Sequence, residues 1–237
     1  MRKIKLICIP YAGGSMQVYR NWDKYLNNSI QLNSVELSGR GRRFSEPKYE
    51  NMEEAINDVY NTVSPLIRDS DYAVFGHSMG SVIVYELIHR LKKEGLHNPE
   101  HVFFSGLHPP FEKKKKPNFH DAPLEVLIDE IRNLGGTPEE LLKNDDFIET
   151  FIPIIRADYK ILETYDCVHK NTKFEFDISV LSGKQDNDLN DNYLEAWKNC
   201  TLGKCSIYKF DGGHFFINEK AEDTVKLINK VLLSYDF

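Results

Sequence analysis

The sequence predicts an α/β fold, a mostly parallel sheet with helices packed on both faces. Three observations predict it: short apolar runs bounded by Gly, Pro or Asp, longer amphipathic stretches between them, and the right-handed crossover that joins parallel strands. In chain order, Ile4 to Ile9 reads as the first strand and Asn33 to Leu37 as the second. Met52 to Ile67 repeats apolar residues at helical spacing (Met52, Ile56, Val59, Val63, Leu66, Ile67). Tyr72 to Phe75 is the third strand. Met79 to Leu91 is again helical, through Ile83, Leu87 and Leu91, and Gly95 stops it. Val102 to Ser105 is the fourth strand.

From Pro109 to about Tyr165 the alternation breaks. Leu124 to Leu134 reads as a helix closed by Gly135-Gly136, and Thr137-Pro138-Glu139-Glu140 reads as the start of another. Phe147 to Leu162 continues helical, with a kink expected at Pro153. The rhythm resumes with a strand over Phe174 to Leu181, a helix around Tyr193 to Trp197, a strand from Ser206 to Phe210, and a closing helix from Glu219 to Leu233. The expectation is one domain over residues 1–237, with residues 111–165 a helical lid inserted into it.

Composition narrows the function classes. The chain has 237 residues, 41% of them hydrophobic, enough to bury one sizeable core. A formal net charge of −6 supplies no basic face for nucleic acid. The apolar stretch after the basic start, Leu6 to Ile9, is too short for a signal segment, and no run reaches the roughly 20 apolar residues of a membrane helix. A soluble, cytoplasmic chain is expected, with no nucleic-acid or membrane partner. Cys8, Cys167, Cys200 and Cys205 lack metal-ligand spacing, so buried, reduced thiols are expected and no metal.

The chemistry sits at the strand ends. Gly76-His77-Ser78-Met79-Gly80 fits G-x-S-x-G between an apolar strand and a helix, the setting of the nucleophile elbow in the α/β-hydrolase fold. So sharp a turn would bring side chains at the flanking glycines into collision, and it exposes the Ser78 hydroxyl at the sheet edge. A neutral hydroxyl needs a base. In that fold the order is serine, acid, histidine, and only His214 of the eight histidines follows the acid segment. His77, His108 and His120 are expected near the site or on the surface. In Gly183-Lys184-Gln185-Asp186-Asn187-Asp188 the acid is Asp186, nearer the strand end, with Asp188 as its competitor. The oxyanion donors are expected to be the backbone N–H groups of Met79 and, in Pro10-Tyr11-Ala12-Gly13-Gly14, of Ala12. Lid positions Leu127, Ile131, Phe147, Phe151 and Ile155 are expected to face the substrate.

With these residues placed, nearly the whole chain resembles the type II (external) thioesterases of polyketide and nonribosomal peptide biosynthesis. The resemblance is carried by Pro10 to Gly14, Gly39-Arg40-Gly41-Arg42-Arg43 with Glu46-Pro47, Gly76 to Gly80 and Tyr85-Glu86-Leu87. It continues through Gly135-Gly136-Thr137-Pro138, Arg156-Ala157-Asp158-Tyr159, Trp197 and Gly212-Gly213-His214-Phe215-Phe216. Ser38, Ser81 and Asn187 depart from the family's usual Pro, Ala and Pro. The resemblance implies an enzyme that removes misprimed or stalled acyl groups from the phosphopantetheine arm of acyl or peptidyl carrier proteins; thioester chemistry needs no cofactor beyond a triad and an oxyanion hole, and a monomer is expected. Lys113, Lys114, Lys115 and Lys116, a basic run in an acidic chain, would then steer an acidic carrier. A small-molecule carboxylesterase and a non-catalytic carrier-binding protein are the rival readings.

Overall fold

The computed structural model describes residues 3–112 and 118–234. Six strands form one sheet: β1 (Ile4–Ile9), β2 (Ile30–Ser34), β3 (Tyr72–His77), β4 (His101–Ser105), β5 (Ile178–Gly183) and β6 (Cys205–Phe210). All neighbours pair parallel, in the order β2-β1-β3-β4-β5-β6. Strand residues alternate between two cores because successive side chains point to opposite faces. Ile7, Ile9, Val74, Val102, Phe104 and Val180 join one cluster. Leu6, Cys8, Phe75, Phe103 and Leu181 join the other. The first face is covered by α1 (Met52–Ile67) and α2 (Met79–Lys93). The second is covered by a 3-10 segment, Met16–Lys24, and by the closing helix described below.

Two elements differ from the sequence reading because apolar residues are buried off the sheet. Ile30–Ser34 forms the edge strand, while Val35 and Leu37 enter the core after leaving it. Phe174 makes a single bridge to Thr201, and regular pairing of β5 begins only at Ile178.

The insertion holds α3 (Leu124–Leu134) and α4 (Asp145–Glu163). The helix expected from Thr137 is instead one short 3-10 turn, Leu141–Lys143, because Asn144 supplies the stronger cap: its side chain accepts the Phe147 N–H, and Asp145 and Asp146 complement the helix dipole. Helix α4 runs on through Pro153. Phe119, Leu127, Ile131, Leu142, Ile152 and Ile155 give the insertion a small core of its own. Two short helices, α5 (Asp191–Glu195) and α6 (Phe216–Glu219), precede the closing α7 (Ala221–Leu233). Among the described residues, no helix is long and apolar enough to cross a membrane. The four cysteines are unpaired; Cys8, Cys167 and Cys200 are buried, Cys205 is half-buried, and burial raises each thiol's pKa.

Strand order fixes where a site can form. From β1 the chain moves outward to β2, then returns to β3 on the other side of β1, so the loops after β1 and β3 diverge at their carboxyl ends. Such a switch point opens a crevice in parallel sheets. The Tyr11–Gly14 turn and Ser78 flank it.

Candidate active site

Ser78 lies between β3 and α2 with φ 52° and ψ −119°, the single non-glycine residue at positive φ among those described. Glycines make that turn possible. A Cβ on Gly76 would stand 2.3 Å from the Gly80 carbonyl oxygen, and one on Gly80 would stand 2.3 Å from that of Ile9. The elbow is tied to β4: Ser78 N–H donates to the Ser105 carbonyl at 2.7 Å. The Ser81 hydroxyl reaches the Gly76 and Ser105 carbonyls at 2.8 and 3.0 Å and accepts the Ser105 N–H at 3.0 Å. As the first residue of α2, Met79 has an N–H with no acceptor in its own helix, beside the Ser78 side chain.

His214 meets Asp186 through Nδ1 and Oδ2 at 2.8 Å, both side chains almost fully buried. Backbone stitching sets this pair. The Lys184 N–H donates to the Phe210 carbonyl and the Gln185 N–H to that of Gly212, while Gly183 leaves room for Gly213, whose oxygen a Cβ there would meet at 2.2 Å. Asp188 gives its own N–H to Asp186 Oδ1 and lines the adjoining cavity. With Nδ1 committed to Asp186, His214 presents Nε2 for proton transfer.

Ser78 and His214 both line a cavity of about 380 Å³ roofed by the insertion. Ile131, Phe147, Phe151 and Ile155 are in its wall. Leu127 is a correction: it is fully buried in the insertion's own core, in one apolar cluster with Phe119 and Ile152, rather than on the wall. Ala12 also lines the cavity, in a turn closed by Gly14 N–H donating to the Tyr11 carbonyl at 2.9 Å.

The other histidines separate by environment. His77 is buried, hydrogen-bonded through Nδ1 to Ser105 Oγ at 2.8 Å, and held well below the ordinary imidazole pKa by burial and by the neighbouring His214. It stays neutral at neutral pH. His108 lines the cavity, and His120 pairs with Glu163 and Asp121 in the insertion. Lys113 to Lys116 lie outside the described residues.

One arrangement went unread in the sequence. Arg40 and Asp158 form a buried bidentate ion pair at 2.6 and 2.7 Å, and Asp158 also accepts the Gly13 N–H at 2.7 Å. A signal was there to find: Asp158 interrupts the apolar stripe of α4 between Ile154 and Ile161, where an isolated carboxylate needs a partner.

The family model described as the thioesterase domain matches residues 4–232. Gramicidin S biosynthesis protein GrsT of Aneurinibacillus migulanus is 34% identical, over 97% of this chain and 89% of that protein. The medium-chain S-acyl fatty acid synthase thioesterase of Anas platyrhynchos is also 34% identical, over 98% and 93%. The crystal structure of ClbQ, from the colibactin NRPS/PKS pathway, superposes with a TM-score of 0.94 at 33% identity, covering 99% of this chain and 98% of that one.

Proposed function

The chain belongs to the thioesterase domain family, of the type II branch found in polyketide and nonribosomal peptide pathways, and from that footing we propose that it hydrolyses acyl groups from the phosphopantetheine arm of carrier proteins. Thioester hydrolysis is its activity; the carrier substrate, the residue roles and a cytoplasmic setting are our reading. The observation that carries it is the convergence of a strained Ser78, a His214–Asp186 pair and a half-enclosed apolar cavity at one sheet edge.

In this reading Ser78 Oγ attacks the thioester carbonyl while His214 Nε2 takes its proton. The N–H groups of Met79 and Ala12 receive the oxyanion. Collapse expels the pantetheine thiol, which leaves with the proton from His214, and water repeats the sequence on the acyl-serine. Asp186 stabilises the imidazolium without taking its proton. The scheme draws only on protein groups and calls on no cofactor beyond the arm the substrate brings. The cavity wall of Phe147, Phe151 and Ile155 suits an uncharged acyl chain.

Mass spectrometry of carrier proteins loaded with different acyl groups, before and after incubation with the enzyme, tests the reading. Release of acyl groups with the arm left intact is the expected result. Faster turnover of matched small oxyesters than of carrier thioesters would instead make the protein a carboxylesterase. Loss of carrier turnover, but not of a small free thioester, on replacing Lys113 to Lys116 with Glu would assign the lysines to docking.

A further inference from the structure

We propose that Asp158 and Arg40 are positioning residues that set the oxyanion donor of the Tyr11–Gly14 turn. The inference rests on the thioesterase reading above and deepens it. The turn is gripped at two successive residues: Asp158 Oδ2 accepts the Gly13 N–H at 2.7 Å, and Arg40 Nη1 donates to the Gly14 carbonyl at 3.4 Å. The two grips are joined, because Arg40 donates to both Asp158 oxygens and its Nε reaches the Ser38 carbonyl at 3.3 Å. Both charged side chains are almost fully buried, at 3% and 2% exposure. Neither touches Ser78, His214 or Asp186. Helix α4 therefore reaches across the crevice and holds the backbone one residue from Ala12.

Gly13 sits at φ 75°, and a Cβ there would stand 2.8 Å from Ile155 Cγ1, so the same helix also presses on the turn from the cavity side. With Gly13 N–H committed to a carboxylate and Gly14 N–H to Tyr11, the N–H of Ala12 is the donor of this cavity-lining turn assigned to the oxyanion. Its direction follows from the two grips. An oxyanion donor acts through placement fixed before the reaction, so loosening it weakens the transition state and leaves ground-state binding nearly untouched. The pairing also ties α4, which supplies Phe147, Phe151 and Ile155 to the cavity wall, to the turn.

Two variants keep the test independent of folding. Asp158→Asn retains an acceptor for Gly13 but loses the charge facing Arg40, and the double variant Arg40→Met/Asp158→Leu replaces the buried pair with apolar groups, a change that folds well in other proteins. On a small acyl thioester, each folded variant is expected to lose kcat by about 10- to 100-fold, short of the 10²–10³-fold that deleting a donor costs. KM should stay within about twofold. Affinity for an alkyl boronic acid, whose serine adduct places an oxygen where the oxyanion forms, should fall in parallel with kcat. A folded double variant with wild-type kcat and boronate affinity would overturn the proposal, as would a rise in KM at constant kcat. Ser78→Ala is run alongside: if it remains active, the catalytic reading itself fails, whereas an inactive Ser78→Ala beside fully active clamp variants removes the clamp alone.

Discussion

A serine at φ 52° holds about 1–3 kcal/mol of backbone strain. Ser78 keeps it because the surrounding bonds over-determine the turn, the Ser81 hydroxyl among them. Ser81→Ala leaves the buried Ser105 N–H without that acceptor, so a loss of about 1–3 kcal/mol is expected, read from urea denaturation. Ser78→Ala and His214→Ala should each cost on the order of 10⁶-fold in kcat. Asp186→Asn should cost about 10²- to 10⁴-fold through the wrong imidazole tautomer, and Asp188→Asn little; steady-state kinetics giving the reverse ranking would move the acid to Asp188. Ser78 and His214 were legible in the sequence because each sits in a short motif directly after a strand. Arg40 and Asp158 were not, since their meaning depends on a contact between residues 118 positions apart.

At the scale of elements, the insertion is joined to the catalytic loop by a glycine. Gly136 has φ 80°, and a Cβ there would stand 2.3 Å from Phe215 Cδ2, in the residue after His214. Gly136→Ala should therefore displace the base and lower kcat by roughly 10- to 100-fold, with a near-native circular dichroism spectrum. Phe151→Ala removes part of the cavity wall and should shift preference toward longer acyl chains, measured across a series of acyl thioesters. Helices α1, α3 and the first turns of α2 were legible because their apolar spacing is long and regular. The edge strand and the Thr137 segment were not. Val35 and Leu37 are buried as the chain crosses the core, which periodicity cannot distinguish from burial within a sheet, and two adjacent cap signals competed until Asn144 prevailed.

For the whole molecule, burial of histidines sets the acid limit. His77 is held well below its ordinary value, and His89 and His101 are lowered to about 4, each chiefly by burial. The unfolded chain binds these protons near pH 6.5, before the native state does, so their contribution is intact above that pH and is lost as pH falls toward 4. The melting temperature should drop across this window. In His101→Gln, which preserves a hydrogen bond to Ser179, the drop should be shallower; an unchanged slope would remove His101 from the account.

Buried thiols bear on the same molecule in another way. A thioester transfers its acyl group to any accessible thiolate, so an enzyme that concentrates thioesters at its surface exposes its own cysteines to self-acylation. Cys8, Cys167 and Cys200 are shielded by the core, and the half-buried Cys205 is pushed up to about 11, leaving little thiolate at neutral pH. Under the proposed mechanism Ser78 then has no competing acyl acceptor among the thiols, and intact-mass spectra taken during turnover should carry the acyl adduct on serine rather than on cysteine.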